Sequence, residues 1–167
     1  MGARDVLIRR ARAEDAGGLL RYIGDLYCEK LDVVSNELTM TQQQEEEWIA
    51  ATNKSGAVLV AERNGAIVGM LDIRRSDRRS RAHVGSIGMS VAKLFRRQGI
   101  GRHLLEAAIQ EAKSWPDFCR LELEVVPWNA PAIALYEDFG FKLEARKAKA
   151  VNFRGAPEDM LLMALTW

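Results

Sequence analysis

Two cysteines and two histidines are the whole supply of soft metal ligands in this 167-residue chain. Cys28 and Cys119 stand far apart, with no CxxC or Cys/His spacing around them. A structural zinc site needs about four ligands at close spacing, so no metal is expected. Two thiols so placed read as buried and reduced, in a cytoplasmic protein, rather than as a disulfide framework. Charge of one sign is also missing. The formal net charge is +1, which supplies no bulk attraction to nucleic acid or to a membrane surface. No stretch approaches the roughly 18 consecutive apolar residues of a membrane span. The start, MGARDVLIRR, has no apolar run of signal-peptide length, and Val6 replaces the Ser or Thr of a myristoylation signal.

What is present is a core. The hydrophobic fraction is 48%, enough to fold a single domain over residues 1–167. Apolar periodicity then divides the chain. A first strand is predicted over 5–11 and a helix over 14–27. A loop follows over 30–40. Thr41 and Gln44 form a capping-box pattern before a second helix over 42–53. Two strand-like runs over 57–75 flank Asn64-Gly65, a strong hairpin signal. A strand over 81–91 is expected to bend or bulge at Gly85 or Gly88. A helix over 103–115 and a strand over 120–127 follow. A short helix then has Asn129 as its N-cap and Gly140 just past its end. Two long strands close the chain around Arg154-Gly155. The order predicts a mixed α/β (α+β) domain with antiparallel hairpins and a crossover helix.

One stretch carries chemistry. Arg96-Arg97-Gln98-Gly99-Ile100-Gly101-Arg102 stands before a helix, with two glycines among three arginines. Glycines at a helix start bare backbone amides, and the helix dipole favours an anion there. Arginine adds bidentate phosphate contacts. The stretch does not match the phosphate loop of nucleotide hydrolases, which ends in Lys-Ser/Thr. It lacks the third glycine of a dinucleotide fingerprint, for Leu104 holds that place. A phosphate or pyrophosphate is the expected guest, and a solvated loop is the alternative.

The second motif is VVPWNAPAIALYEDFGF over 125–141. Together the two segments resemble the GNAT superfamily of N-acetyltransferases. The first matches its acetyl-coenzyme A loop, [RQ]-x-x-G-x-[GA], at residues 96–101. The second matches its C-terminal half through Asn129, Ala132, Leu135, Tyr136, Gly140 and Phe141. RRSRAHVGSIGMSV and the ending NFRGAPEDMLLMALTW resemble a bacterial branch that contains amino-acid N-acetyltransferases.

The resemblance implies a GNAT fold. It has a central, mostly antiparallel sheet of about seven strands, flanked by about four helices and splayed between strands 81–91 and 120–127. It implies acetyl-coenzyme A (acetyl-CoA) as co-substrate, with Met89, Ser90 and Val91 on the pantetheine and thioester. The amides of Arg97, Gln98, Gly99, Ile100, Gly101 and Arg102, with Arg96, would hold the pyrophosphate, and Asn129 would bind the pantetheine. Tyr136 would be the general acid for the departing thiolate and would also meet the cofactor. Glu124, which shares a strand face with Glu122, aligns with the base of the ribosomal-protein alanine acetyltransferases. Glu29 and His83 are lesser candidates. Stretches 28–40 and 150–157 would wall the acceptor site, with Tyr27, Asn36, Arg74, Asn152 and Arg154 facing it. The acceptor would be a small primary amine such as an amino acid; a protein N-terminus, a polyamine and a non-catalytic acyl-CoA sensor are the alternatives. The long terminal hairpin offers a homodimer face.

Overall fold

The computed structural model describes residues 5–29 and 40–167. Its elements follow the predicted order. Strand β1 (Leu7–Arg10) leads to helices α1 (Ala16–Cys28) and α2 (Gln42–Ser55), then to β2 (Ala57–Arg63), β3 (Ala66–Arg75) and β4 (Val84–Val91). Helix α3 (Ile100–Lys113), β5 (Arg120–Val125), α4 (Ala130–Asp138), β6 (Lys142–Phe153) and β7 (Ala156–Thr166) complete it. One seven-stranded sheet runs β1-β2-β3-β4-β5-β7-β6, antiparallel except at β4–β5.

Local chemistry sets the boundaries. Thr41 Oγ1 accepts from the Gln44 amide at 3.3 Å, and Gln44 Oε1 accepts from the Thr41 amide at 2.8 Å, closing the capping box. Asn64 and Gly65 take φ of 50° and 77°, as a two-residue type I′ hairpin demands, and Arg154-Gly155 repeats it at 52° and 81°.

The sheet separates two cores. On one face Leu59, Leu71, Ile73, Leu121 and Leu123 pack under Leu104, Leu105 and Ile109 of α3. On the other, Val58 and Val60 meet Leu19, Tyr22 and Leu26 of α1 and Ile49 of α2. A fully buried Leu contributes roughly 1.5–3 kcal/mol, so each face is held by its own set of helices.

Several expectations shift. The strand expected over 81–91 begins at Val84, because Arg79–Arg81 make a 3-10 turn. The strand expected over 120–127 ends at Val125. The third helix starts at Ile100, not at 103. Neither Gly85 nor Gly88 is a bulge, for β4 pairs with β3 in unbroken register from Arg75↔Gly85 to Gly69↔Val91. The bulges lie instead in β3, at Val68 opposite the Ala61/Glu62 step of β2, and in β6. The two glycines provide clearance. A Cβ at Gly85 would stand 2.8 Å from the Phe118 ring, and one at Gly88 would stand 3.0 Å from Asp72 Oδ1. Cys119 is half-buried and Cys28 exposed, against the expectation of buried thiols; both are free.

Candidate active site

The sheet opens at its one parallel seam. β4 and β5 pair only at Val84↔Arg120, Gly85↔Leu121 and Ser86↔Glu122. Beyond Ser86 each strand stays on its other neighbour: β4 on β3 as far as Val91, β5 on β7 as far as Val125. The edges of residues 87–91 and 123–125 therefore face each other without a ladder. A cavity of about 560 Å³ occupies this side of the sheet, with Arg74, Ser86, Gly88, Glu122, Glu124 and Leu162 in its wall.

The glycine-arginine loop stands at the far end of β4. Gly99 is the N-cap of α3 with φ of 85°, a left-handed conformation that an L side chain resists. Arg97 also lies there, at φ 63°, a strained position for a side-chain-bearing residue. The helix's first backbone bond runs from the His103 amide to the Gly99 carbonyl, 3.1 Å. The amides of Ile100, Gly101 and Arg102 precede it and have no acceptor within the helix. Gly101 abuts two further parts of the site. A Cβ there would lie 3.5 Å from Leu135 Cδ2 of α4 and 3.7 Å from Met89 Cε of β4. The helix start, the parted strand and the segment bearing Tyr136 thus meet at one point. These bare amides and the free strand edge fit the pyrophosphate and the amide-bearing arm of acetyl-CoA.

The arginines divide their work differently from the sequence expectation. Arg96 Nε donates to the Val91 carbonyl at 2.8 Å, and its guanidinium pairs with Glu29 at 2.7 Å, so it braces β4 against α1. Arg102 pairs with Asp138 and covers the Phe139 ring at 5.2 Å. Gln98 is held by Arg63 at 3.2 Å and by the Leu94 carbonyl at 2.9 Å. Arg97 is exposed and makes no ion pair among the described residues, so it is the cation of the loop available to a phosphate. Ser90 Oγ accepts from the Tyr22 hydroxyl at 2.9 Å, a second tie from α1 to β4.

Asn129 caps α4, its Oδ1 accepting from the Ala132 amide at 3.4 Å, which leaves its Nδ2 for a ligand. Tyr136 is 7% exposed and packs on Phe141 at 5.8 Å. Its hydroxyl has no hydrogen-bond partner among the described residues, yet it is not among the sealed polar atoms and keeps contact with solvent. Burial pushes this phenol up to about 12.

Glu122 and Glu124 do share a face, and both border the cavity. Glu122 bridges Arg81 at 2.9 Å and Arg120 at 3.1 Å, whereas Glu124, among the described residues, pairs only with Lys147 of β6, in the open. His83 is exposed, just before β4, and does not line the cavity. The Phe153 ring at the tip of the last hairpin packs on Trp128 at 4.8 Å, which brings residues 150–157 beside Asn129. Asn152 and Arg154 are exposed there. Tyr27 is half-buried in the penultimate position of α1. Asn36, and most of the stretch 28–40, lie outside the described residues.

Sequence reasoning missed Asp72. It stands in central strand β3, directly opposite Gly88, with Arg74 Nε 2.7 Å from its Oδ2. The signal was there: an acid between Leu71 and Ile73 in a strand flanked by neighbours on both sides is a buried charge.

The family model described as "Acetyltransferase (GNAT) family" matches residues 20–141. The chain is 29% identical, over 96% of its length and 97% of the relative's, to the L-amino acid N-acetyltransferase AaaT of Escherichia coli (strain K12). Its fold superposes on a GNAT-family acetyltransferase from Streptococcus pneumoniae with a TM-score of 0.91 and 26% identity, covering 97% and 99% of the two chains. It also superposes on yncA, a putative acetyltransferase from Salmonella typhimurium solved with its cofactor acetyl-CoA, with a TM-score of 0.84 and 22% identity over 98% and 94%. The chain belongs to the GNAT family and is an acetyl-CoA-dependent N-acetyltransferase.

Proposed function

We propose that the protein acetylates a small primary amine of amino-acid type, with Tyr136 as general acid and Glu124 as the route for the amine's proton. The observation that carries the reading is the gap between β4 and β5. It opens on one face to a cavity lined with both charges, and at its far end to bare amides at a helix start. The name of the full-length Escherichia coli relative supports the amino-acid class.

Acetyl-CoA, when bound, supplies an acetyl group activated as a thioester. The chain's own residues do the rest. The amides of Arg97 to Arg102, with the Arg97 guanidinium, hold the pyrophosphate. Backbone groups of Met89, Ser90 and Val91 hold the pantetheine and polarise the acyl carbonyl, and Asn129 Nδ2 adds a donor. An alkylamine has a pKa of about 10, so it arrives protonated. Glu124, held by Lys147, draws that proton away through water. Tyr136 keeps its own proton at neutral pH because burial disfavours the phenolate, and it gives that proton to the departing sulfur.

Incubation with acetyl-CoA and a panel of L-amino acids, peptides with free N-termini and polyamines, reading free thiol, tests this. Thiol release with amino acids supports it. Tight cofactor binding with no release over the whole panel overturns it in favour of a sensor. Release with peptides or polyamines alone moves the acceptor class.

A further inference from the structure

The cavity wall holds three cations and two acids, with Asp72 just behind it across from Gly88, and their partnerships are unequal. Arg75 donates twice to the Ala82 carbonyl, at 3.1 and 2.6 Å, and is covered by the rings of Trp115 and Phe118. Arg81 is spent on Glu122, which also takes Arg120. Glu124 has Lys147. The remaining pair, Asp72 and Arg74, is incomplete. Arg74 Nε stands 2.7 Å from Asp72 Oδ2, but out of line for a hydrogen bond, and Oδ2 is sealed from solvent without a donor.

Position makes this pair part of the reaction side. Residues 72 and 74 stand opposite Gly88 and Ser86, and directly opposed residues share a sheet face. The missing Cβ of Gly88 would lie 3.0 Å from Asp72 Oδ1 and 3.8 Å from an Arg74 terminal nitrogen. Both charged heads therefore lie across Gly88, where β4 has already left β5. The carboxylate is the inner head and the guanidinium the outer, with side-chain exposures of 14% and 59%.

We propose that Asp72 and Arg74 together recognise a free α-amino acid as a zwitterion. The inference rests on the acetyl-transfer reading above and names the acceptor class for that site. Arg74 swings to the substrate carboxylate and uncovers Asp72, whose Oδ2 takes a hydrogen bond from the substrate ammonium. One ion contact is exchanged for two, and the orphaned oxygen gains its donor. An α-amino acid carries its ammonium and its carboxylate on one carbon, so a single ligand can meet Asp72 and the displaced Arg74 together. A peptide N-terminus has no carboxylate there, and a diamine brings a second cation against Arg74. The ammonium keeps Asp72 through one proton while another leaves toward Glu124, so the nitrogen lone pair forms where the amine is already held.

The test compares an L-amino acid, its carboxamide and a diamine as acceptors for wild type, Arg74→Gln and Asp72→Asn. KM and kcat come from thiol release, and acceptor binding to the protein loaded with coenzyme A comes from calorimetry. Wild type is expected to prefer the free acid over the amide. Arg74→Gln is expected to raise KM and Kd for the acid by on the order of 10- to 100-fold, the worth of one charge-assisted bond, and to leave the amide unchanged. Asp72→Asn is expected to weaken acid and amide alike, with acetyl-CoA affinity unaltered. Equal effects of Arg74→Gln on acid and amide, or none on either, overturn the proposal while the acetyl-transfer reading stands. Wild type that releases no thiol with any amine removes both. A melting temperature for each variant separates lost binding from lost fold.

Discussion

Replacing Tyr136 by Phe separates stability from catalysis in one atom. The hydroxyl has no hydrogen-bond partner among the described residues, and the ring's contacts, chiefly with Phe141, survive the change. Folding stability is therefore expected to move by no more than about 0.5 kcal/mol. On the proposed mechanism the reaction loses its proton donor, and general acid catalysis is typically worth about 10²–10⁴ in rate. At about 1.4 kcal/mol per tenfold, the barrier rises by roughly 3–5 kcal/mol with no matching change in melting temperature. The same phenol leaves a signature at high pH. Its folded pKa is raised by burial to about 12 from an unfolded value of 10.0. Below pH 10 both states hold the proton and stability is unaffected. Between pH 10 and 12 the unfolded chain releases it more readily, so stability falls as pH rises, by up to about 3 kcal/mol. Tyr22 is also pushed up to about 12 by burial and adds a second loss of the same sign. Tyr136→Phe is expected to remove about half of this alkaline loss. Thiol release and denaturant melts from pH 7 to 11.5 read both effects. A variant that keeps kcat within about threefold of wild type refutes the acid role. One that loses activity and stability together shows that the hydroxyl holds the fold rather than donating a proton.

Four further substitutions probe the site. Gly99→Ala forces a side chain to φ of 85° and should cost about 1–2 kcal/mol and raise the KM for acetyl-CoA. Gly101→Ala meets only ordinary contacts at 3.5 and 3.7 Å and should change neither, so equal effects at the two positions would contradict the helix-start account. Glu124→Gln breaks an exposed pair with Lys147 and should shift the melting temperature little, while lowering the rate chiefly below the amine's pKa; a pH-independent loss would remove it as the proton route. Asp72 has a folded pKa raised by burial, so its stability cost is absent at low pH and grows as pH rises through that value. Asp72→Asn should therefore raise the melting temperature at pH 7 more than at pH 4, and a fall at pH 7 would show that the Arg74 contact outweighs burial.

Periodicity and turn chemistry carried most of the fold. Asn64-Gly65, Thr41 with Gln44, and Asn129 with Gly140 each mark a boundary through one local hydrogen bond or one backbone angle, so each was legible within a few residues. Strand order was legible only through family resemblance. Nothing local says that β5 lies between β4 and β7 rather than beside β6. The commitments of Arg96, Arg102 and Gln98 were illegible for the same reason. Their partners Glu29, Asp138 and Arg63 are 67, 36 and 35 residues away, and a run of arginines looks equally free at every position. Gly85 and Gly88 were expected to be bulges because glycine in a strand signals either a bulge or a close approach. Choosing between them required Phe118 and Asp72, which come near only in the folded sheet.

The parted seam is held open from both sides, and that explains how one sheet serves two substrates. β4 cannot follow β5 without leaving seven paired positions on β3, and β5 cannot follow β4 without leaving six on β7. Each strand has a complete ladder on one edge, so the gap costs only the unpaired edges between them. Those edges are the groups that a ligand with its own amides can satisfy. Helices cover the two faces differently at this point. α3 and α4 bring the bare amides and Tyr136 to one face, whereas the other holds Arg74 and Glu124 at the cavity, with Asp72 beside them across from Gly88. Donor and acceptor can then approach the same backbone from opposite sides, with the small residues Ser86, Gly88 and Ser90 keeping the strand thin between them. A larger side chain at 88 would strike Asp72 before it touched any substrate, so this position links the width of the passage to the charge that guards it.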